Sequence, residues 1–300
     1  MNKEKIAFIV DSSIGIFGQE IKFDNVRQVF FNIQDSKNNE YLDNNIDLNI
    51  ESIISKFKDD ETFKTSAVSP GHVMAAAEEL FEKYEKIILI TLSSGLSSFH
   101  DNIKFLEEEY KDKFFVVDSK ELGAAYKDTF FKAKQMADDG KTVKEIIEFC
   151  ENQYKNNFTA FTCESWEPLS KSGRAPKLLA KTLSTLHTRP VLNFYIKNRL
   201  AGIVLGKGEK GFMKSVEKMI ENFKKTFSQN STNDIDYVVF YNNKLENSKA
   251  EIVRKKIVEL LNVTKEKIIE TFTPSLVFVY TGIGSFGIHI KSKKEAVNRE

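Results

Sequence analysis

The 300-residue chain balances 44 Lys and Arg against 43 Asp and Glu, for a net charge of +1, and 41% of its residues are hydrophobic. That balance, with no long basic block, excludes bulk nucleic-acid binding, and no apolar run approaches the ~20 residues of a membrane-spanning helix. The length exceeds what one hydrophobic core usually serves, so two α/β domains are expected, 1–156 and 157–300, divided at the polar Lys155-Asn156-Asn157.

Met1 to Lys5 is charged and leads straight into a strand, without the apolar core and cleavage site of a signal peptide. Cys150 and Cys163 lack metal-ligand spacing. A cytoplasmic protein with reduced, buried thiols, no metal and no cofactor is expected.

Ile6 to Val10 is a short apolar run of the kind buried on both faces of a parallel sheet, and it ends in Asp11-Ser12-Ser13. Phe23 to Ile33 reads as a second strand and Asn38 to Asn45 as a turn. Leu48 to Phe57 reads as a helix with apolar residues at Ile50, Ile53, Ile54 and Phe57. Ser69-Pro70 is an N-cap with proline at the first helical position, which predicts a helix over Pro70 to Lys83. Ile87 to Leu92 is another buried strand, ended by Ser93-Ser94-Gly95 and followed by a helical pattern through Tyr110. Phe114 to Val117 ends in Asp118-Ser119, and helices over Gly123 to Ala137 and Val143 to Tyr154 complete a parallel sheet with crossover helices.

In the second half, strands are expected at Phe158 to Cys163, Pro190 to Phe194, Gly202 to Leu205, Tyr237 to Tyr241, Ile268 to Thr271, Leu276 to Tyr280 and Phe286 to Ile290. Leu169 to Pro176 reads as a loop into an amphipathic helix ending near His187, with further helices at Phe212 to Phe227 and Lys249 to Leu261. This is a mixed α/β domain with antiparallel hairpins.

The chemistry sits where the strands stop. In open α/β sheets ligands bind outside the carboxyl ends of the strands, where hydroxyls and helix N–H groups can hold a carboxylate or phosphate. Ser is equally a preferred N-cap, so one such turn means little. Three hydroxyl clusters, at Asp11-Ser12-Ser13, Ser93-Ser94 and Asp118-Ser119, fall on the same edge.

Together with Thr65-Ser66, Ser69-Pro70, Lys171-Ser172-Gly173-Arg174, Arg189-Pro190-Val191-Leu192 and the glycine-rich stretch at Gly282, these motifs give a chain that resembles the DegV family of bacterial fatty-acid-binding proteins nearly end to end. The resemblance implies a two-domain α/β monomer holding one long-chain fatty acid in a tunnel between the domains. Thr65, Ser66, Ser93 and Ser94 would lie around its carboxylate. It further implies that the acid is presented to a separate ATP-dependent fatty acid kinase for acyl-phosphate formation, with Arg174 on the surface that meets the kinase. On that reading the protein is a carrier without catalytic residues. Three positions depart from the family pattern. Ala67-Val68 stands where Gln-Pro is usual, Tyr280 occupies the place of a His and would donate a single hydrogen bond, and Gly206 to Gly211 replaces a segment carrying an Arg.

Other readings of the same residues are weaker. Gly206, Gly208 and Gly211, and again Gly282, Gly284 and Gly287, match G-x-G-x-x-G. The first lacks the acidic residue of a dinucleotide site and the second reads as a hairpin turn before a strand. A serine hydrolase would need a G-x-S-x-G elbow, which is absent, although Ser93 and Ser94 lie near His100 and Asp101. A lipid-sensing module without a kinase partner differs from the carrier only in what meets the bound lipid.

Overall fold

The computed structural model describes residues 4–59, 61–164, 166–171, 188–193, 200–205, 208–227 and 234–297. The chain divides into two compact units, one of residues 1–50, 65–154 and 274–276 and one of residues 51–64, 155–273 and 277–300.

The first unit is built on β1 (Ile6–Asp11), β2 (Val26–Val29), β3 (Asn32–Asp35), β4 (Glu40–Leu42), β6 (Lys86–Thr91) and β7 (Phe114–Asp118), while α1 (Ile50–Lys58) and β5 (Phe63–Ser66) have residues in both units. Four of these form a parallel sheet in the order β2-β1-β6-β7, with Ile6 beside Lys86, Val10 beside Ile90 and Thr91 beside Asp118. Every residue of β1 is buried because both faces are covered. Ala7 and Ile9 face Val73, Ala77 and Leu80 of α2 (Pro70–Phe81). Phe8 and Val10 face Tyr126, Phe130 and Ala133 of α5 (Gly123–Asp138), and Cys150 of α6 (Val143–Gln153) lies in the same cluster. The Ser69 cap acts as read, its Oγ accepting the N–H of His72, and Thr142 and Glu145 form a capping box at the start of α6.

Three expectations in this half are corrected, the first at Asn38 to Asn45, which was expected as a turn and holds the strand β4 (Glu40–Leu42). Phe23 to Ile33 is not one strand, because the backbone breaks at Phe30-Phe31: the Phe31 N–H bonds Ser12 Oγ (3.2 Å) and its carbonyl accepts from Asp43 N–H (2.9 Å). β3 then pairs antiparallel with β4 in a separate sheet of order β4-β3-β5. The helical pattern after Ser98 is split into α3 (Phe99–Ile103) and α4 (Leu106–Glu109).

The second unit holds a mixed sheet in the order β10-β9-β8-β13-β11-β12, from β8 (Asn157–Thr162), β9 (Thr188–Asn193), β10 (Leu200–Leu205), β11 (Ile235–Asn242), β12 (Ile268–Thr271) and β13 (Phe286–Ser292). All neighbours run antiparallel except β11 and β12. Its core packs Phe158, Val238, Phe286, Ile288 and Ile290 against Phe212, Met219 and Phe223 of α8 (Gly208–Phe227) and Val253 and Ile257 of α9 (Asn247–Leu261). On the other face Phe161 lies over Gly287 and stacks on Tyr241 at 5.2 Å between centroids, and a Cβ at Gly287 would collide with the Phe161 ring.

Leu276 to Tyr280, expected as a strand, is the helix α10 (Ser275–Thr281). Its run Leu276-Val277-Phe278-Val279 is buried throughout, so it carries no period that separates strand from helix. Gly282 closes the helix in the left-handed region (φ 75°), its N–H bonding the Phe278 carbonyl at 2.8 Å. The stretch around Gly282 is therefore a helix-to-strand turn and not a hairpin. Leu169 to Lys171 ends a short helix, α7 (Glu167–Lys171), where a loop was expected. The remainder of that loop and the amphipathic helix to His187 lie outside the described residues.

Candidate functional site

The parallel sheet reverses its winding between β1 and β6, which is where doubly wound sheets open a crevice at the strand carboxyl ends. Asp11 sits at that point, fully buried. One carboxylate oxygen accepts the Ser13 hydroxyl and the Ser13 N–H (2.9 Å), and the other accepts the Leu92 N–H across the crevice (2.7 Å). The Tyr126 hydroxyl accepts the Asp11 N–H (3.1 Å) and donates to the Ile90 carbonyl. β1 and β6 are thus joined at the edge by side chains as well as by their ladder.

The loop after β6 is held from the next strand too. Asp118 Oδ1 accepts the N–H groups of Ser94 (3.1 Å) and Lys120 (2.9 Å), and the Glu121 carbonyl accepts that of Ser93 (2.9 Å). Ser93 Oγ accepts the Gly95 N–H (3.2 Å), and the Ser93 carbonyl accepts those of Leu96 and Ser97. The N–H groups from Leu92 to Ser97 therefore have internal acceptors and are not a free anion nest. The Ser94 hydroxyl remains as a donor. Ser93 is buried, while Ser94 is exposed and among the described residues its hydroxyl makes no hydrogen bond.

Of the other sequence-derived residues, Thr65 is half-buried and Ser66 exposed, both at the end of β5 in the same unit as Ser93 and Ser94. Ser12, Ser13 and Ser119 are fully buried, and their hydroxyls bond the protein's own backbone and Asp11. Tyr280 is half-buried near the end of α10, in the second unit. Arg174 lies outside the described residues. His100 Nδ1 stands 3.3 Å from Thr91 Oγ1, at the base of the Ser93 loop.

The sequence reading missed two buried polar residues. Asp43, placed in a polar turn, is fully buried, and among the described residues neither oxygen meets a donor in hydrogen-bond geometry, although the Ser12 and Ser275 hydroxyls stand near enough to favour its charged form. Burial pushes its pKa up to about 7 and that of Asp11 up to about 6, the latter opposed by the bonds from Ser13 and Leu92. Asn243 organises the second unit at the end of β11. Its amide N donates to Ser285 Oγ (2.7 Å) and Thr281 Oγ1 (3.4 Å), and its Oδ1 accepts from Thr273 N–H (3.2 Å) and Oγ1 (3.1 Å). The signal for Asn243 was its place just after an apolar strand. The signal for Asp43 was not local.

Burial raises both cysteine thiols to about 12, which leaves them protonated and free. Among the described residues no group of His, Cys, Asp and Glu is placed to hold a metal ion, and no helix is long and apolar enough to cross a membrane.

A doubly wound α/β unit with a pinned, hydroxyl-bearing loop at its switch point, and in the same chain a mixed-sheet unit, define a two-unit α/β protein. The DegV family model, described as "Uncharacterised protein, DegV family", matches residues 5–293, and the chain belongs to that family. A DegV domain-containing protein of Ureaplasma parvum serovar 3 is 28% identical over 289 residues, spanning 96% of this chain and 95% of its own. Among solved structures, a DegV family protein from Thermus thermophilus, described for its fatty acid binding, matches with a TM-score of 0.76 at 19% identity, over 96% of this chain and 99% of that one. The Fatty Acid Kinase B3 protein of Streptococcus pneumoniae, solved loaded with linoleic acid, matches with a TM-score of 0.71 at 20% identity, over 96% and 99%. At these identities the structures establish the fold, a parallel N-terminal sheet followed by a mixed sheet.

Proposed function

We propose that the chain binds one long-chain fatty acid, takes its carboxylate on the hydroxyls of Thr65, Ser93 and Ser94 with Ser66 and Tyr280 as further donors, and performs no chemistry on it. The observation that carries this reading is the family match over residues 5–293, because the structural relatives above are described as binding or holding fatty acids. The physical chemistry supports it. A carboxylate drawn out of water needs charge-assisted hydrogen bonds, which hydroxyls provide without a buried counter-charge. The alkyl chain contributes ~0.8 kcal/mol per buried CH₂ before the costs of association. Asp11 and Asp118 hold the Ser93-Ser94 loop before any ligand arrives, so little ordering is left for binding to bring about.

The reading extends to a carrier in the cytoplasm that hands the bound acid to a separate ATP-dependent kinase, with Arg174 on the docking surface. Extraction of the denatured protein followed by mass spectrometry should recover one C14 to C18 acid per chain. The Thr65→Ala, Ser93→Ala, Ser94→Ala triple variant should bind hexadecanoate about tenfold to a hundredfold more weakly. Ser94→Ala alone tests the exposed hydroxyl without disturbing the loop's own bonds. No extracted acid and no thermal shift with added fatty acids would sink the binding reading. Binding without acyl-phosphate formation, when a fatty acid kinase and ATP are supplied, would favour the kinase-free lipid sensor.

A further inference from the structure

The parallel sheet of the first unit ends in β7 on one side and β2 on the other. In β7 the ladder to β6 uses alternate residues, with the Lys113 carbonyl accepting the Ile87 N–H (2.8 Å) and the Ser119 N–H reaching the Thr91 carbonyl (3.1 Å). Phe115 and Val117 share that side, so the N–H and C=O groups of Phe114, Val116 and Asp118 point away from the sheet. At Val116 one ion pair takes both of them. Glu107 Oε1 of α4 accepts the Val116 N–H (2.7 Å), Lys104 Nζ donates to the Val116 carbonyl (3.1 Å), and the two side chains pair at 3.0 Å. They supply the one acceptor and one donor that the backbone of a further strand would supply.

β2 is closed by the same means. The Asn25 carbonyl, accepting the Phe8 N–H (2.8 Å), faces β1, which turns the Val26 carbonyl outward. Arg27 Nη1 donates to that carbonyl (2.8 Å) and to the one of Asp24 (3.2 Å), and its Nη2 pairs with Glu79 of α2 (2.5 Å).

An open sheet edge is a template for another strand, and β7 is suited to that use. Phe114-Phe115-Val116-Val117 has high β-propensity, with no Pro, Gly or charge before Asp118. A second copy of β7, brought up antiparallel about a two-fold axis at Val116, would exchange both N–H···O=C bonds with its own counterpart in a self-complementary contact. Those are the two groups that Glu107 and Lys104 hold. The Lys104 and Glu107 side chains are 49% and 30% exposed, and an ion pair so placed adds little to the stability of a single chain.

We propose that Lys104 and Glu107 guard the sheet edge: their ion pair occupies the outward backbone groups of β7 and keeps a second copy of the chain from adding to the parallel sheet, as Arg27 and Glu79 do at β2.

Sedimentation equilibrium of wild type and of the Lys104→Ala, Glu107→Ala double variant, at equal concentration, tests this. Wild type should have the mass of one chain and the double variant that of two. Adding Val116→Pro should return the double variant to a single chain, because proline removes the outward N–H and leaves the ladder to β6 intact. A folded double variant that stays monomeric overturns the proposal, and so does a wild type associated to the same degree as the variant. A dimer that persists with Val116→Pro pairs through another surface and overturns it too. If the proline variant does not fold, hydrogen exchange of the Val116 N–H in the dimer decides instead, slow exchange supporting the paired edge and fast exchange overturning it. If the double variant does not fold, Lys104→Ala and Glu107→Ala are measured singly, and monomers in both overturn the proposal.

Discussion

Asp43→Asn should make the protein more stable at pH 8 and leave it nearly unchanged at pH 4.5. Asp43 is fully buried, and among the described residues the charged group that bears on it most is Asp11, of the same sign. The fold therefore holds the proton on Asp43 more tightly than the unfolded chain does, with a pKa of about 7 against the ordinary 3.8. Between those values the native state binds more protons than the unfolded state, so this group's contribution to stability is full below pH 4 and is lost as pH rises through 7. At about 1.4 kcal/mol per pH unit the loss at pH 8 is of the order of 4 kcal/mol. Asp11, raised to about 6, adds a slope of the same sign that ends about one pH unit lower. Asn keeps the volume and removes the ionisation, so the variant should escape most of that loss. Urea unfolding of both proteins between pH 4.5 and 8, followed by far-UV circular dichroism, gives the difference directly. A variant less stable than wild type at pH 8, or a difference that does not change with pH, would show that Asp43 is an ionised acceptor for Ser12 and Ser275 and would refute the reasoning.

Gly287→Ala should destabilise the second unit by about 1–3 kcal/mol in chemical denaturation, because the new methyl forces the Phe161 ring off Tyr241. Asn243→Ala should cost roughly 1–3 kcal/mol for each buried partner left unsatisfied, and hydrogen exchange should report earlier opening of the segments around Thr273, Thr281 and Ser285.

The parallel sheet was legible because β1, β6 and β7 are short β-branched or aromatic runs bounded by polar turns, and both faces are buried, so no alternation was needed to place them. The same property hid α10, where Leu276 to Val279 is just as continuous but follows Pro274 and winds as a helix up to Gly282. Periodicity separates the two only when one face meets solvent. The loop after β6 was legible as a site by composition, but the division of labour within it was not. Ser, Asp and Glu side chains at a strand end can either face a ligand or hold the loop, and long-range partners decide which. Asp11 reaches Leu92 from 81 positions away and Asp118 reaches Ser94 from 24, distances over which local spacing carries no information. These carboxylates take up the loop's N–H groups, so an acid placed there has to be met by hydroxyls. That requirement makes the exposed hydroxyl of Ser94 more informative than the serines of the Asp11-Ser12-Ser13 turn, whose hydroxyls are already engaged inside the fold.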